Sequence, residues 1–151
     1  MDAQELVNLL RRQRHDFANH LQVVGGYLEL ERPDKALQYL KQVTEELALE
    51  RTFFKSGPYL AVLLYGLQLE VREKGVRMLL EDAVLTPDDE VILFKAKEAV
   101  VGMLNEVLQS RENDLPLTLR WDFYSSAQGI TATIKVRVNG DERVKQVLIE
   151  R

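Results

Sequence analysis

Two side chains in this sequence offer a nucleophilic nitrogen near neutral pH, and they lie five positions apart: His15 and His20 are its only histidines. An imidazole that titrates in this range has a free ring nitrogen able to attack phosphorus. The surroundings of His15 suit phosphoryl capture. The Asp16 carboxylate can hold the proton on the other ring nitrogen and stabilise the imidazolium as a phosphoramidate forms. Arg11, Arg12 and Arg14 can offset phosphate charge. Asn19, four residues on, falls directly beneath His15 if the segment is helical. Ala18, Gln22 and Gly26 share or flank that outward side. The small residues Ala18, Gly25 and Gly26 leave room for a partner to approach. Two glycines inside a helix cost roughly 1 kcal/mol each against alanine, and close approach by another backbone is a reason to keep them. From spacing alone, a solvent-facing histidine among arginines is more often an ordinary surface residue. His20 lies nearer the apolar side and reads as a bundle-lining residue.

The elements that must position these residues follow from periodicity. From Asp2 to about Arg32 there is no proline, and Leu6, Leu9, Leu10, Phe17, Leu21, Val24 and Leu28 recur at three- and four-residue steps. The spacing predicts an amphipathic helix of roughly seven to eight turns, with this stripe as its buried side. His15 lies about 200° around the helix from Phe17 and so points outward. Arg32-Pro33-Asp34 breaks the helix. A second helix follows to about Arg51, with Ala36, Leu37, Leu40, Val43 and Leu47 on its apolar face. So short a connection makes an antiparallel hairpin. A hairpin buries only one side of each helix, and two copies side by side complete a four-helix bundle, so a homodimer is expected.

Ser56-Gly57-Pro58 marks the internal boundary, giving a hairpin over 1–55 and a second domain over 56–151. In the second part, a helix is predicted over Tyr59–Lys74, stopped by Gly75. A strand is predicted over Val76–Val84. One helix, capped by Pro87-Asp88-Asp89, is expected to run to about Ser110. Strands follow over Leu115–Ser125 and Ile130–Val138, with turns at Gln128-Gly129 and Asn139-Gly140-Asp141. The tail Glu142–Arg151 reads as a strand or a short helix. The fold class is therefore α+β.

Composition narrows the function classes. The 151 residues are 46% hydrophobic and 29% charged, the profile of a globular chain. The net charge of −4 disfavours nucleic-acid binding. There is no cysteine, which removes disulfides, thiolate metal sites and thiol nucleophiles together. No targeting signal and no membrane span is evident, so a cytoplasmic protein is expected.

The run Arg14-His15-Asp16-Phe17-Ala18-Asn19-His20-Leu21-Gln22-Val23-Val24-Gly25-Gly26-Tyr27-Leu28-Glu29-Leu30 resembles the phosphoacceptor helix of the sporulation initiation phosphotransferase B family. Variant forms of the same signature mark the dimerisation helices of citrate- and fumarate-type sensor kinases. Pro33 to Val43 resembles the second helix of that hairpin. The resemblance implies His15 as phosphoacceptor with Asp16 and Asn19 as its helpers. It implies response-regulator receiver domains as partners, with Mg²⁺ in the receiver and no metal or cofactor on this chain. Arg11, Arg12, Arg14, Ala18, Gln22 and Gly26 would then face the partner.

Residues 58–140 resemble the ATP-binding domain of such kinases in element order, in degenerate form. Gly102 and Glu106 stand where that family places two asparagines, and Asn105 is out of register. Asn139-Gly140 reads as a remnant of its Asp-containing box. The eight glycines, at 25, 26, 57, 66, 75, 102, 129 and 140, include no G-x-G pair to wrap phosphates. The implied fold is a dimeric hairpin bundle followed by a degenerate histidine-kinase-ATPase-like α/β sandwich. The implied activity is phosphotransferase: a sporulation-type phosphorelay carrier moving phosphoryl groups between regulator aspartates without ATP. A regulator phosphatase with Asn19 positioning water, a non-catalytic dimeric adaptor, and a fragment of a sensor kinase are the alternatives.

Overall fold

The computed structural model describes residues 2–111 and 115–151. Its contacts divide the chain into two compact units, Met1–Ala48 and Leu49–Arg151.

The N-terminal unit is built from α1 (Ala3–Glu29) and most of α2 (Pro33–Arg51). A capping box starts α1: Asp2 Oδ1 accepts from the Glu5 N–H at 2.8 Å, and the Glu5 carboxylate accepts from the Asp2 N–H at 3.0 Å. The helix ends where Glu31 adopts a left-handed φ of 57°, and the Arg32 N–H returns to the Tyr27 carbonyl at 2.8 Å. Pro33 then occupies the first position of α2, where its missing N–H costs nothing.

The hairpin does not bury the stripe that periodicity marks out. Ala36 is buried, and Leu9, His20, Val24, Tyr27, Tyr39 and Val43 are half-buried. Phe17, Leu21 and Leu28 stay 62%, 58% and 55% exposed on α1, and Leu37, Leu40 and Leu47 stay exposed on α2. Each helix therefore has two usable faces, one spent on its hairpin partner and one left open.

The C-terminal unit is a four-stranded sheet in the order β1-β2-β3-β4. The strands are β1 (Val76–Val84), β2 (Leu117–Ser125), β3 (Gly129–Val138) and β4 (Asp141–Glu150), so the tail is a strand. β1 runs parallel to β2, and the remaining pairs are antiparallel. Side chains alternate across the sheet. Met78, Leu80, Trp121, Phe123, Ile130 and Ile134 form one buried face, and Leu64, Leu93, Val100 and Leu104 of the helices join them in a single core. The other face is polar. There Lys135 Nζ lies 2.7 Å from the buried Asp122 carboxylate, and that hydrogen bond holds the ammonium above the ordinary lysine range. Arg120 pairs with Glu142 beside it.

Three helices cover the apolar face: α3 (Pro58–Val71), α4 (Pro87–Lys95) and α5 (Lys97–Gln109). A short 3₁₀ turn, Arg72–Lys74, extends α3, and Gly75 closes it at φ 72°, a left-handed conformation that glycine takes without strain. Where one helix is expected to run to Ser110, two occur, because Ala96 leaves helical geometry at ψ 26°. The cap of α4 also lies one residue earlier than expected. Thr86 Oγ1 accepts from the Asp89 N–H at 3.1 Å, and the Asp89 carboxylate accepts from the Thr86 N–H at 3.0 Å. Pro87 has no N–H and serves as the first helical residue.

The outer edge of β1 is sealed by side chains. Gln68 donates to the Val76 carbonyl at 2.9 Å and accepts from the Met78 N–H at 2.7 Å. Thr52 Oγ1 accepts from the Leu80 N–H at 2.8 Å. Thr52 lies in a 3₁₀ turn, Thr52–Lys55, whose Phe53 is fully buried in this core. Packing therefore sets the division at 48/49, whereas the change of sequence pattern sets it at 55/56.

Candidate functional site

α1 presents His15 with its side chain 74% exposed. On a regular helix Arg11, Arg12, Ala18, Asn19, Gln22 and Gly26 all fall within about 60° of it, and Arg14 lies about 100° away. Arg11, Arg12, Arg14, Ala18, Asn19 and Gln22 are exposed, and Gly26 is half-buried. A Cβ added to Gly25 or Gly26 would meet no atom within 4 Å. Neither glycine is required by the fold of one chain.

Two groups approach the same ring nitrogen of His15. The Asp16 carboxylate lies 3.7 Å from Nδ1, and the Asn19 side-chain nitrogen lies 3.4 Å from it. Neutral imidazole has two tautomers, and these neighbours favour different ones. Asp16 can only accept, so it supports Nδ1–H and leaves the Nε2 lone pair free. The Asn19 amide N–H can only donate, so it supports the tautomer with the proton on Nε2. No described residue bonds Nε2. The arrangement therefore leaves Nε2 open to solvent and sets two neighbours of opposite preference at Nδ1.

His20 faces the opposite way. The Tyr39 hydroxyl of α2 shares a hydrogen bond with its Nδ1 at 2.6 Å, with the rings tilted at 53°. Burial, helped by the negative charge of Glu46, pushes the Tyr39 hydroxyl above its ordinary value, so it stays protonated and can donate to an unprotonated Nδ1. Sequence reasoning missed Tyr39. It stands three residues from Ala36 and four from Val43, on the face of α2 that meets α1. The signal was available in that spacing, but the larger leucine stripe obscured it.

In the C-terminal unit, the residues that stand in for nucleotide-site asparagines sit on α5. Gly102 and Asn105 are exposed, and the Glu106 carboxylate pairs with Lys145 Nζ of β4 at 2.6 Å. Asn139 and Gly140, at φ 53° and 85°, make a two-residue turn. Val138 pairs directly with Asp141 across it, a geometry that asparagine-glycine favours. Among the described residues, no cluster of three or more His, Cys, Asp or Glu could hold a metal ion, and no helix is long and apolar enough to cross a membrane.

The chain is similar to a probable C4-dicarboxylate sensor kinase of Halalkalibacterium halodurans, with 29% identity over 146 residues. The match covers 92% of this chain and 24% of the kinase, so the chain spans about a quarter of that relative. The similarity is to sensor kinases of two-component signalling. Residues 1–56, which hold the hairpin and His15, match the family described as sensor kinase SpoOB-type, alpha-helical domain.

Proposed function

We propose that this chain is a histidine phosphotransferase that carries a phosphoryl group on His15 between response-regulator aspartates. The observation that supports it most is the exposed His15, with Nε2 unbonded and Nδ1 flanked by Asp16, inside a hairpin of the SpoOB sensor-kinase type. In the forward step Nε2 attacks the phosphorus of an aspartyl phosphate. The N–P bond forms, the O–P bond breaks, and the partner's aspartate leaves as carboxylate. The proton stays on Nδ1, held by Asp16. The return step reverses this onto a second aspartate. Such transfer needs alignment and charge balance more than covalent chemistry. Arg11, Arg12 and Arg14 supply positive charge, and Ala18, Gln22 and Gly26 form the contact surface around it. Mg²⁺ belongs to the partner's acidic pocket in this scheme.

Two hairpins joined through their open leucine faces would form the bundle on which a receiver docks. The reading that ATP takes no part is supported by the two-residue turn at Asn139-Gly140, which joins β3 directly to β4. A second reading is favoured by one observation: the similarity to the sensor kinase runs through both units. In that reading His15 receives its phosphoryl group from ATP bound by a kinase.

Rapid-quench transfer from a labelled phospho-receiver tests the proposal. Acid-labile, base-stable label should appear on the wild-type chain and be absent from His15→Gln. His15 is exposed, so that variant should keep its stability within about 0.5 kcal/mol. Transfer to His15→Gln at the wild-type rate would overturn the proposal. Labelling by Mg-ATP alone would replace it with the second reading.

A further inference from the structure

The helix-facing side of β4 changes character along its length. Val147 and Ile149 stand opposite Ala132 and Ile130 and continue the core. Lys145 and Arg143 stand opposite Ile134 and Val136. Directly opposed residues share a face of the sheet, so two cations occupy positions turned toward α5. Between this end of the sheet and α5 lies a cleft of about 460 Å³, within the range of small-molecule sites.

Val107, Ile134 and Val136 form the apolar wall of this cleft, and Glu106 is the single acid among the described residues that line it. Glu106 neutralises Lys145. Arg143 makes no hydrogen bond or ion pair with any described residue. Arg111 lines the same cleft with its Nε buried and unbonded. The other Arg111 nitrogens donate to the Lys74 and Leu115 carbonyls, so its guanidinium is held at the rim and Arg143 is the cation that no described residue pairs. A cation of this kind beside an apolar wall fits a ligand with both features.

We propose that this cleft binds a small amphipathic organic anion. Its apolar body lies against Val107, Ile134 and Val136, and its anionic head is held by Arg143, with Lys145 exchanging from Glu106. The site lies wholly within the C-terminal unit and is independent of the chemistry at His15. Anilinonaphthalenesulfonate, titrated by fluorescence into the full chain, is the probe, and uncharged N-phenylnaphthylamine is its control. The anion should saturate in the micromolar range. Arg143→Gln should weaken it by at least about tenfold. Glu106→Gln, which frees Lys145, should tighten it by up to about fivefold. Neither variant should change the affinity of the uncharged control by more than about twofold. Both positions are exposed, and the two variants move affinity in opposite directions, so unfolding cannot imitate the pair. Absence of saturable binding, or equal affinity in the wild type and both variants, overturns the proposal. So does displacement by inorganic phosphate at the probe's own concentration.

Discussion

Leu21→Ala should weaken self-association about a hundredfold without unfolding the hairpin. In one chain Leu21 is 58% exposed. Leu10, Phe17 and Leu28 are also exposed, and the seven-residue steps from Leu10 to Phe17 and from Leu21 to Leu28 match a coiled-coil seam. Full burial of a leucine is worth about 1.5–3 kcal/mol, so covering the open part of Leu21 contributes about 1–1.7 kcal/mol. Truncation also leaves a small void between the facing hairpins, bringing the loss to about 1.5 kcal/mol per protomer. A two-fold interface counts each residue twice, so the dimer loses about 3 kcal/mol, or roughly a factor of a hundred in Kd. Leu30 is the control. It is 72% exposed but lies about 180° around α1 from Leu21, so Leu30→Ala should leave association unchanged. Sedimentation velocity over a concentration series reads both variants. A folded wild-type monomer at tens of micromolar (the order at which such interfaces are judged) refutes the reasoning. Equal weakening by Leu30→Ala refutes it too.

His20→Gln loses the Tyr39 hydrogen bond and should cost about 1 kcal/mol in thermal melts, while transfer from a phospho-receiver persists; loss of transfer in a stable His20→Gln protein would point to the wrong histidine. Gly26→Ala should raise helix stability by up to about 1 kcal/mol, since nothing in one chain crowds it, and should slow transfer or weaken the dimer; unchanged transfer and association would remove close approach as the reason for the glycine. Residues 49–151 should fold as a separate piece and 56–151 should not, and Phe53→Ala should cost about 3–5 kcal/mol; equal stability of the two fragments by circular dichroism would contradict the packing boundary. The Arg151 guanidinium, with the Thr86 amide, holds the Asp89 carboxyl far below the usual carboxylate range. A depressed folded value gives stability that is complete above about pH 4 and fades as pH falls toward the folded value. Arg151→Gln should therefore move the acid-unfolding midpoint upward, and an unchanged midpoint would count against the pair.

Elements with strong local grammar were legible in the sequence. The proline turn at Arg32-Pro33, the glycine stop at Gly75, the strand Val76–Val84 and the Asn139-Gly140 turn all occur where residue chemistry alone places them. The break at Ala96 was not legible, because Lys95-Ala96-Lys97 contains neither glycine nor proline; nothing in the structure explains it. Phe53 was misassigned to the hairpin side because its burial depends on contacts with a core distant in sequence. The outward face of His15 follows from helical angles. The competition of Asp16 and Asn19 for Nδ1 does not, since one residue's step in sequence does not fix which ring nitrogen it reaches. Periodicity places the apolar stripe on one side of α1 without naming the surface that meets it, so most of it lies exposed in one chain.

The sealed edge of β1 bears on the order in which the C-terminal unit assembles. β2, β3 and β4 are joined by tight turns, so their antiparallel meander closes over short loops. β1 joins it only by bringing Val76 to Leu117 across α4 and α5, a closure of high contact order that comes late. Thr52 and Gln68 bond the far side of β1, so they gain their native partners only after that step. Side chains that engage after the barrier act on the unfolding rate and leave the folding rate nearly untouched. Thr52 and Gln68 would thus set how long the unit, once formed, stays closed.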